Sequence, residues 1–140
     1  MSDRFFLDTN IFVNSFDRSS AGKARRAAQL IREALTTQTG VIGYELVQEF
    51  FNVALRRFSQ PMKAADAEQY LSIVFRLLLA VHSSQALYAA ALYLCAQSGL
   101  SWYDSLIVSS AIQARCDLLF TEDLRHGQRL GGLQVKNPFL

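Results

Sequence analysis

The acids of this chain fall where a folded sheet would gather them. Asp8 follows the apolar run Phe5-Phe6-Leu7, and Glu122 and Asp123 follow Leu118-Leu119-Phe120-Thr121. Glu45 and Glu49 stand four apart, so one helix face carries both. Asp104 comes three residues after Ser101, in the first turn of a predicted helix. Clustered carboxylates repel one another, and desolvation raises their pKa values. A hard divalent cation such as Mg²⁺ or Mn²⁺ takes oxygen ligands and relieves that repulsion. Neither the two histidines nor Cys95 and Cys116 form a cluster that would suit a softer metal. The chemistry such acids suit is metal-assisted hydrolysis of a phosphodiester.

Each acid also has a purely local reading. Asp8 could cap a helix beginning at Asn10, Asp104 could close a capping box opened by Ser101, and Asp123 could cap a helix starting at Leu124. What favours chemistry is their joint placement. Asp8 and Asp123 fall just past predicted strands, and in an open α/β sheet ligands bind outside the carboxyl ends of the strands. Glu49 and Asp104 lie on helices opening towards that edge.

The elements that must hold the acids alternate. Phe5 to Leu7 reads as a buried strand rich in β-formers. A short helix from Asn10 to Phe16 follows. Ser19-Ser20 then offers a cap for a helix over Lys23–Leu35 that turns Ala24, Ala27, Ala28, Ile31 and Leu35 inward. Gly40 to Gly43 is a strand framed by breakers, and Tyr44 to Phe58 has helical spacing. Pro61 separates that helix from another over Ala64–Leu79. Ala80-Val81-His82 reads as a third strand, Gln85 to Ala96 as a helix stopped by Gly99, and Ser101 opens a helix towards Arg115. Asp117 to Thr121 is a fourth strand, Asp123 to Gln128 a turn of helix, and Leu133 to Lys136 a last strand. This order predicts an α/β fold with a mostly parallel sheet of about five short strands flanked by helices.

Composition sets bounds. The 140 residues make one domain spanning 1–140, and half of them are apolar, enough for a core without disulfides. Cys95 and Cys116 read as small apolar residues on helices. No basic segment precedes an apolar leader, and the run Leu77–Val81 is far shorter than the roughly 20 residues of a membrane span. The expectation is a cytoplasmic protein with no membrane partner. His82 reads as a strand residue and His126 as peripheral, while Trp102 and Tyr103 fit packing at a helix start. If the four principal acids are offset by metal, eight acids remain against fourteen basic residues, a surface suited to a polyanion. Arg56 and Arg57 are candidate phosphate contacts.

Four ordered segments carry a family resemblance: Phe6-Leu-Asp-Thr-Asn10, Leu46-Val-Gln-Glu-Phe50, Leu100-Ser-Trp-Tyr-Asp-Ser-Leu-Ile107 and Leu119-Phe-Thr-Glu-Asp-Leu124. Each is weak alone. Together and in order they resemble the PIN-domain ribonucleases, and among them the VapC toxins of bacterial toxin–antitoxin systems. The resemblance implies a three-layer fold and makes Asp8, Glu49, Asp104 and Asp123 the catalytic, metal-binding acids. Glu49 rather than Glu45 takes the family's acidic place, because it precedes the aromatic Phe50. Glu45 is then a supporting or merely exposed residue. Thr9 and Asn10 match positions that orient the acids, and Glu122 matches a less uniform acid. The resemblance further implies Mg²⁺ or Mn²⁺, an RNA substrate, a cognate antitoxin and a homodimer.

The expected function is therefore a metal-dependent endoribonuclease, the toxin of a type II pair. One alternative is a non-catalytic RNA- or protein-binding module on the same fold. An aspartyl-nucleophile phosphatase fits less well, because that chemistry wants a second Asp where Asn10 stands.

Overall fold

Side-chain alternation in a three-residue strand decides the layering of this protein. In the computed structural model, which describes residues 3–140, β1 is Phe5–Leu7. Phe5 and Leu7 enter one hydrophobic core and Phe6 the other. Parallel neighbours flank β1: β2 (Gly40–Gly43) on one side and β4 (Leu118–Phe120) on the other. Outside β2 lies β3 (Leu79–Val81), also parallel. Outside β4, β6 (Leu133–Lys136) runs parallel, and the two-residue β5 (Arg129–Leu130) closes the edge antiparallel to it. The order β3-β2-β1-β4-β6-β5 holds six strands rather than about five, since β5 is too short to leave a periodic signal.

The first core joins Phe5, Leu7, Ile42 and Phe120 to helices α1 (Thr9–Ser15), α2 (Ala21–Thr37) and α3 (Tyr44–Ala54). The buried stripe of α2 is Ala27, Leu30, Ile31 and Ala34. Ala24, Ala28 and Leu35, also expected inward, are only half-buried, so the stripe lies slightly rotated from the predicted one. Gly40 is needed where α2 crosses β2, because a Cβ there would overlap Ala34 and the Phe5 ring. Helix α3 stops at Ala54, short of the predicted Phe58, and Met62 N donates to Ala54 O as the chain turns away.

The predicted 64–79 helix is continuous but not uniform. It runs as α4 (Ala64–Tyr70), a π-helical turn (Leu71–Phe75) and α5 (Arg76–Leu78). Phe75, at the end of that turn, is fully buried against Phe12 and Phe50, with ring centroids 5.3 and 5.2 Å away. Tyr70 stacks on Phe50 at 5.4 Å. Burying each such ring is worth roughly 1.5–3 kcal/mol. The cluster clamps α1 to α3, fixing the helices that carry Asn10 and Glu49.

The second core packs Phe6, Val41, Val81, Leu119 and Val135 against α6 (Gln85–Ser98) and α7 (Trp102–Gln113). Gly99 ends α6 in the left-handed conformation, φ 73°, as its position predicted. Three local expectations need correction. Residues 123–128 form turns and no helix, so Asp123 caps nothing. Cys116 is buried in the connection before β4, not on a helix. His82 lies just past β3 and is exposed. Among the described residues, no helix is long and apolar enough to cross a membrane.

Candidate active site

The sheet reverses its winding between β1 and β4, since β2 and β3 extend to one side and β4 to β5 to the other. In open α/β sheets the carboxyl ends of the strands at such a point are where a ligand crevice forms. Asp8 is the first residue beyond β1, and its backbone N–H bonds Phe120 O at 3.1 Å. Its carboxylate has two donors: Thr9 N reaches Oδ1 at 2.7 Å, and the Thr121 hydroxyl reaches Oδ2 at 2.8 Å. Asp8 is thus both the cap of α1 and a deeply buried acid, only 8% exposed. Burial pushes its carboxyl up to about 6, against the pull of those two hydrogen bonds, and the charges of Asp123 and Asp104 add to the rise.

Thr121 organises the floor. Fully buried, its Oγ donates to Asp8 and accepts from Asn10 Nδ2 and from Asp123 N, each at 3.1 Å. The Asn10 amide also reaches Asp123 Oδ2 at 3.1 Å, and its Oδ1 accepts from Glu122 N at 3.4 Å. Asn10 therefore ties α1 to the loop after β4, an orienting position that its motif suggested. Thr9 sits differently: its backbone holds Asp8, while its buried Oγ1 has no partner.

Glu122 turns from the acids towards cations. Its oxygens accept from Lys23 Nζ at 2.7 Å and from Asn14 Nδ2 at 2.9 Å. Burial works to raise its carboxyl, but Lys23 and Asn14 outweigh it and hold the group below its ordinary value.

Asp104 is half-buried in the first turn of α7, where Ser101 Oγ accepts from its backbone N–H at 3.2 Å. The cap bond anticipated at Ser101 is present, and the Asp104 charge is still felt at Asp8. On α3, Glu49 is exposed as a residue, yet partial desolvation, followed by the charges of Asp8 and Asp123, raises its carboxyl. Asp8 thus feels the charges of Asp104 and Asp123, and Glu49 those of Asp8 and Asp123. They do not form a closed cage: among the described residues, no three acids, histidines or cysteines stand together at ligand spacing.

The unexpected member is Glu45. Far from exposed, it is 6% accessible, and neither carboxylate oxygen has a hydrogen-bond donor. The nearby Ser110 hydroxyl donates to Leu106 O instead. Burial pushes the Glu45 carboxyl up to about 7, against a pull from its own backbone N–H and from Ser110, and Asp8 and Glu49 add to the rise by repulsion.

Arg56 and Arg57 lie exposed just past α3. Arg57 lines a groove of about 350 Å³ with Arg18, Val13, Phe16 and Val53. Asp17 lines it as well, and Val13 of α1 and Val53 of α3 place the groove between those two helices.

Fold and crevice together define a doubly wound α/β domain with an acid cluster at its topological switch point. The chain belongs to the PIN domain family, whose model matches residues 5–129. No curated protein matches it. Its fold is similar to that of a toxin–antitoxin complex from Klebsiella pneumoniae (TM-score 0.64, 22% identity, 95% of this chain and 96% of that one). It is also similar to FitAcB from Neisseria gonorrhoeae (TM-score 0.65, 17% identity, 96% and 98%). A third likeness is to Mycobacterium tuberculosis VapC20, a Sarcin-Ricin loop cleaving toxin (TM-score 0.61, 17% identity, 85% and 91%).

Sequence reasoning missed Thr121 and Asn14 as supporting residues. The signal for Thr121 was its place next to a strand end, one residue before the acids. Asn14 could have been suspected from helical spacing, one turn after Asn10.

Proposed function

We propose that the protein is a divalent-metal-dependent endoribonuclease, the toxin of a type II toxin–antitoxin pair, with Asp8, Glu49, Asp104 and Asp123 binding Mg²⁺ or Mn²⁺. The observation that carries this reading is Asp8, a buried carboxylate at the sheet's switch point, repelled by Asp104 and Asp123. Repulsion that folding does not relieve favours a bound cation, and the all-oxygen donor set suits a hard one. The open arrangement of the acids agrees with Mg²⁺, which keeps much of its own water and takes few protein ligands. When bound, the ion lowers the pKa of an attacking water and stabilises charge on phosphorus. The chain's own contribution is orientation. Thr121 and Thr9 N fix both oxygens of Asp8, and Asn10 holds Asp123 against it.

RNA as substrate is supported by the family and by the likeness to VapC20, a Sarcin-Ricin loop cleaving toxin, and an antitoxin partner by the complexes of similar fold. Arg57 and Arg18, which line one groove beside Asp17, offer charge to a phosphate backbone. A homodimer agrees with the exposed apolar side chains Leu92 and Tyr93 of α6 and Ile112 of α7. A cytoplasmic location is the setting such a function requires.

A non-catalytic RNA- or protein-binding module is the second reading, favoured by the lack of a closed ligand cage among the described residues. Cleavage of structured RNAs by purified protein with Mn²⁺ decides. Wild type should cut, and Asp8→Asn and Asp104→Asn should lose at least a hundredfold in rate while remaining folded. Retained cleavage by both variants rejects the site, and no cleavage by wild type favours the binding module.

A further inference from the structure

Glu45 stands outside the four acids of the proposed site, yet it is the more deeply buried of the two glutamates on α3. An ionised carboxylate with no donor on either oxygen is costly in a protein interior. Its own backbone N–H and the Ser110 hydroxyl lie near enough to pull its carboxyl down, but neither meets hydrogen-bond geometry with either oxygen. The fold nevertheless makes room for it. A Cβ on Gly43 would lie 2.5 Å from Oε1 and 2.9 Å from Oε2, so the carboxylate occupies the space that a side chain at 43 would fill. Gly43 has an ordinary extended backbone, φ −107°, so what requires glycine there is the close approach and not the conformation.

The register shows what lies beside this seat. Phe6 pairs with Val41 across the parallel strands β1 and β2, so Gly43 at the carboxyl end of β2 and Asp8 just past β1 lie at the same edge of the sheet. On the other side Leu7 pairs with Phe120, so one further step sets Thr121 level with Asp8. Asp8 is thus flanked by its hydroxyl donor on one strand and by the seat of Glu45 on the other. Glu45 is close enough to Asp8 and Glu49 to be repelled by both.

We propose that Glu45 is a fifth acid of the metal site, a ligand whose two donor-less oxygens are presented from the first turn of α3 through the gap left by Gly43. This rests on the reading of the crevice as a divalent-cation site. Once ionised, a buried acid seated in a notch shaped to admit it needs a positive charge that the polypeptide does not supply. The cation is that charge. Glu45 would then bind from inside the crevice, and Glu49, one turn further along α3, from its solvent side.

The test measures Mn²⁺ affinity at pH 7.5 by calorimetry or by the EPR signal of free Mn²⁺, without RNA, on wild type, Glu45→Gln, Gly43→Ala and Asp8→Asn. Glu45→Gln should bind Mn²⁺ at least tenfold more weakly while its metal-free melting temperature equals or exceeds that of wild type. Gly43→Ala keeps the charge but pushes the flexible carboxylate from its seat, and should weaken binding in the same direction. If Glu45→Gln fails to fold, Gly43→Ala carries the test alone. Affinity within twofold of wild type in both variants, with loss in Asp8→Asn, overturns the role of Glu45 and leaves the site standing. No Mn²⁺ binding by wild type overturns both.

Discussion

The hydroxyl of Thr121 donates to Asp8 Oδ2 at 2.8 Å, joining the ends of two adjacent strands whose residues are 113 apart in the chain. The same oxygen accepts from Asn10 and from the backbone of Asp123. Thr121→Val keeps the shape and removes all three bonds. It should cost about 1–3 kcal/mol in urea unfolding, because buried polar groups lose their partners. RNA cleavage should fall at least tenfold, and Thr121→Ser should recover most of both. Full activity in the valine variant would show that Asp8 needs no orienting donor.

Asp8 and Glu45 make the metal-free protein sensitive to pH in a fixed direction. Both carboxyls are raised, to about 6 and about 7, so between roughly pH 4 and 7 the folded protein keeps protons that the unfolded chain has released. The native state then binds more protons than the unfolded one, and stability falls as pH rises through that window. Melting temperatures in EDTA should decline from pH 5 to 7.5, and Glu45→Gln should flatten the decline. A metal-free protein that gains stability over this range contradicts the environment assigned to both acids.

Metal should reverse that trend. A ligand bound only by the folded state stabilises it by mass action, and cations compete with protons for carboxylates. Millimolar Mn²⁺ should raise the melting temperature more at pH 7.5 than at pH 5.5. Equal shifts at the two values would place the metal elsewhere.

Asp8→Asn separates the cap from the chemistry. Asparagine caps helices as well as aspartate does, so α1 should survive, and removing a buried, repelled charge should leave metal-free stability at pH 7.5 unchanged or higher. A loss above about 2 kcal/mol would show that the carboxylate is chiefly structural, by comparison with the worth of a cap.

Lys23→Ala should matter little to folding. Its ion pair with Glu122 is 2.7 Å long but partly exposed, and such pairs contribute about 0–1 kcal/mol. Arg57→Ala should leave the fold and Mn²⁺ binding intact, weaken RNA binding and reduce its dependence on salt. An unchanged salt slope would remove Arg57 from the RNA path.

Much of this was legible from sequence because the signals were local. Asp8 and Asp123 come just after short apolar runs, Asp104 opens a helix and Glu49 lies on the helix after β2, and Gly40–Gly43 and Leu133–Lys136 are strands bounded as expected. What escaped depended on packing or on pairs distant in the chain. Thr121 looks like the end of a strand until β1 lies beside it. Glu45 and Glu49 share one helix face by spacing, and only the packing of α3 over Gly43 tells which is buried. The π-helical turn before Phe75 answers to the aromatic cluster, and no period in the sequence announces it.

The central position of β1 also sets when the site can exist. Made first, β1 gains one neighbour with β2 but must wait for β4, the strand that ends at Thr121, to gain the other. Until that segment leaves the ribosome, Asp8 lacks its hydroxyl donor and Asn10 has nothing to bridge. The acids are encoded from the eighth residue onward, but they become a site only after Thr121, 113 residues later, has been made. A truncated chain that stops before β4 therefore carries Asp8, Glu49 and Asp104 without the means to organise them.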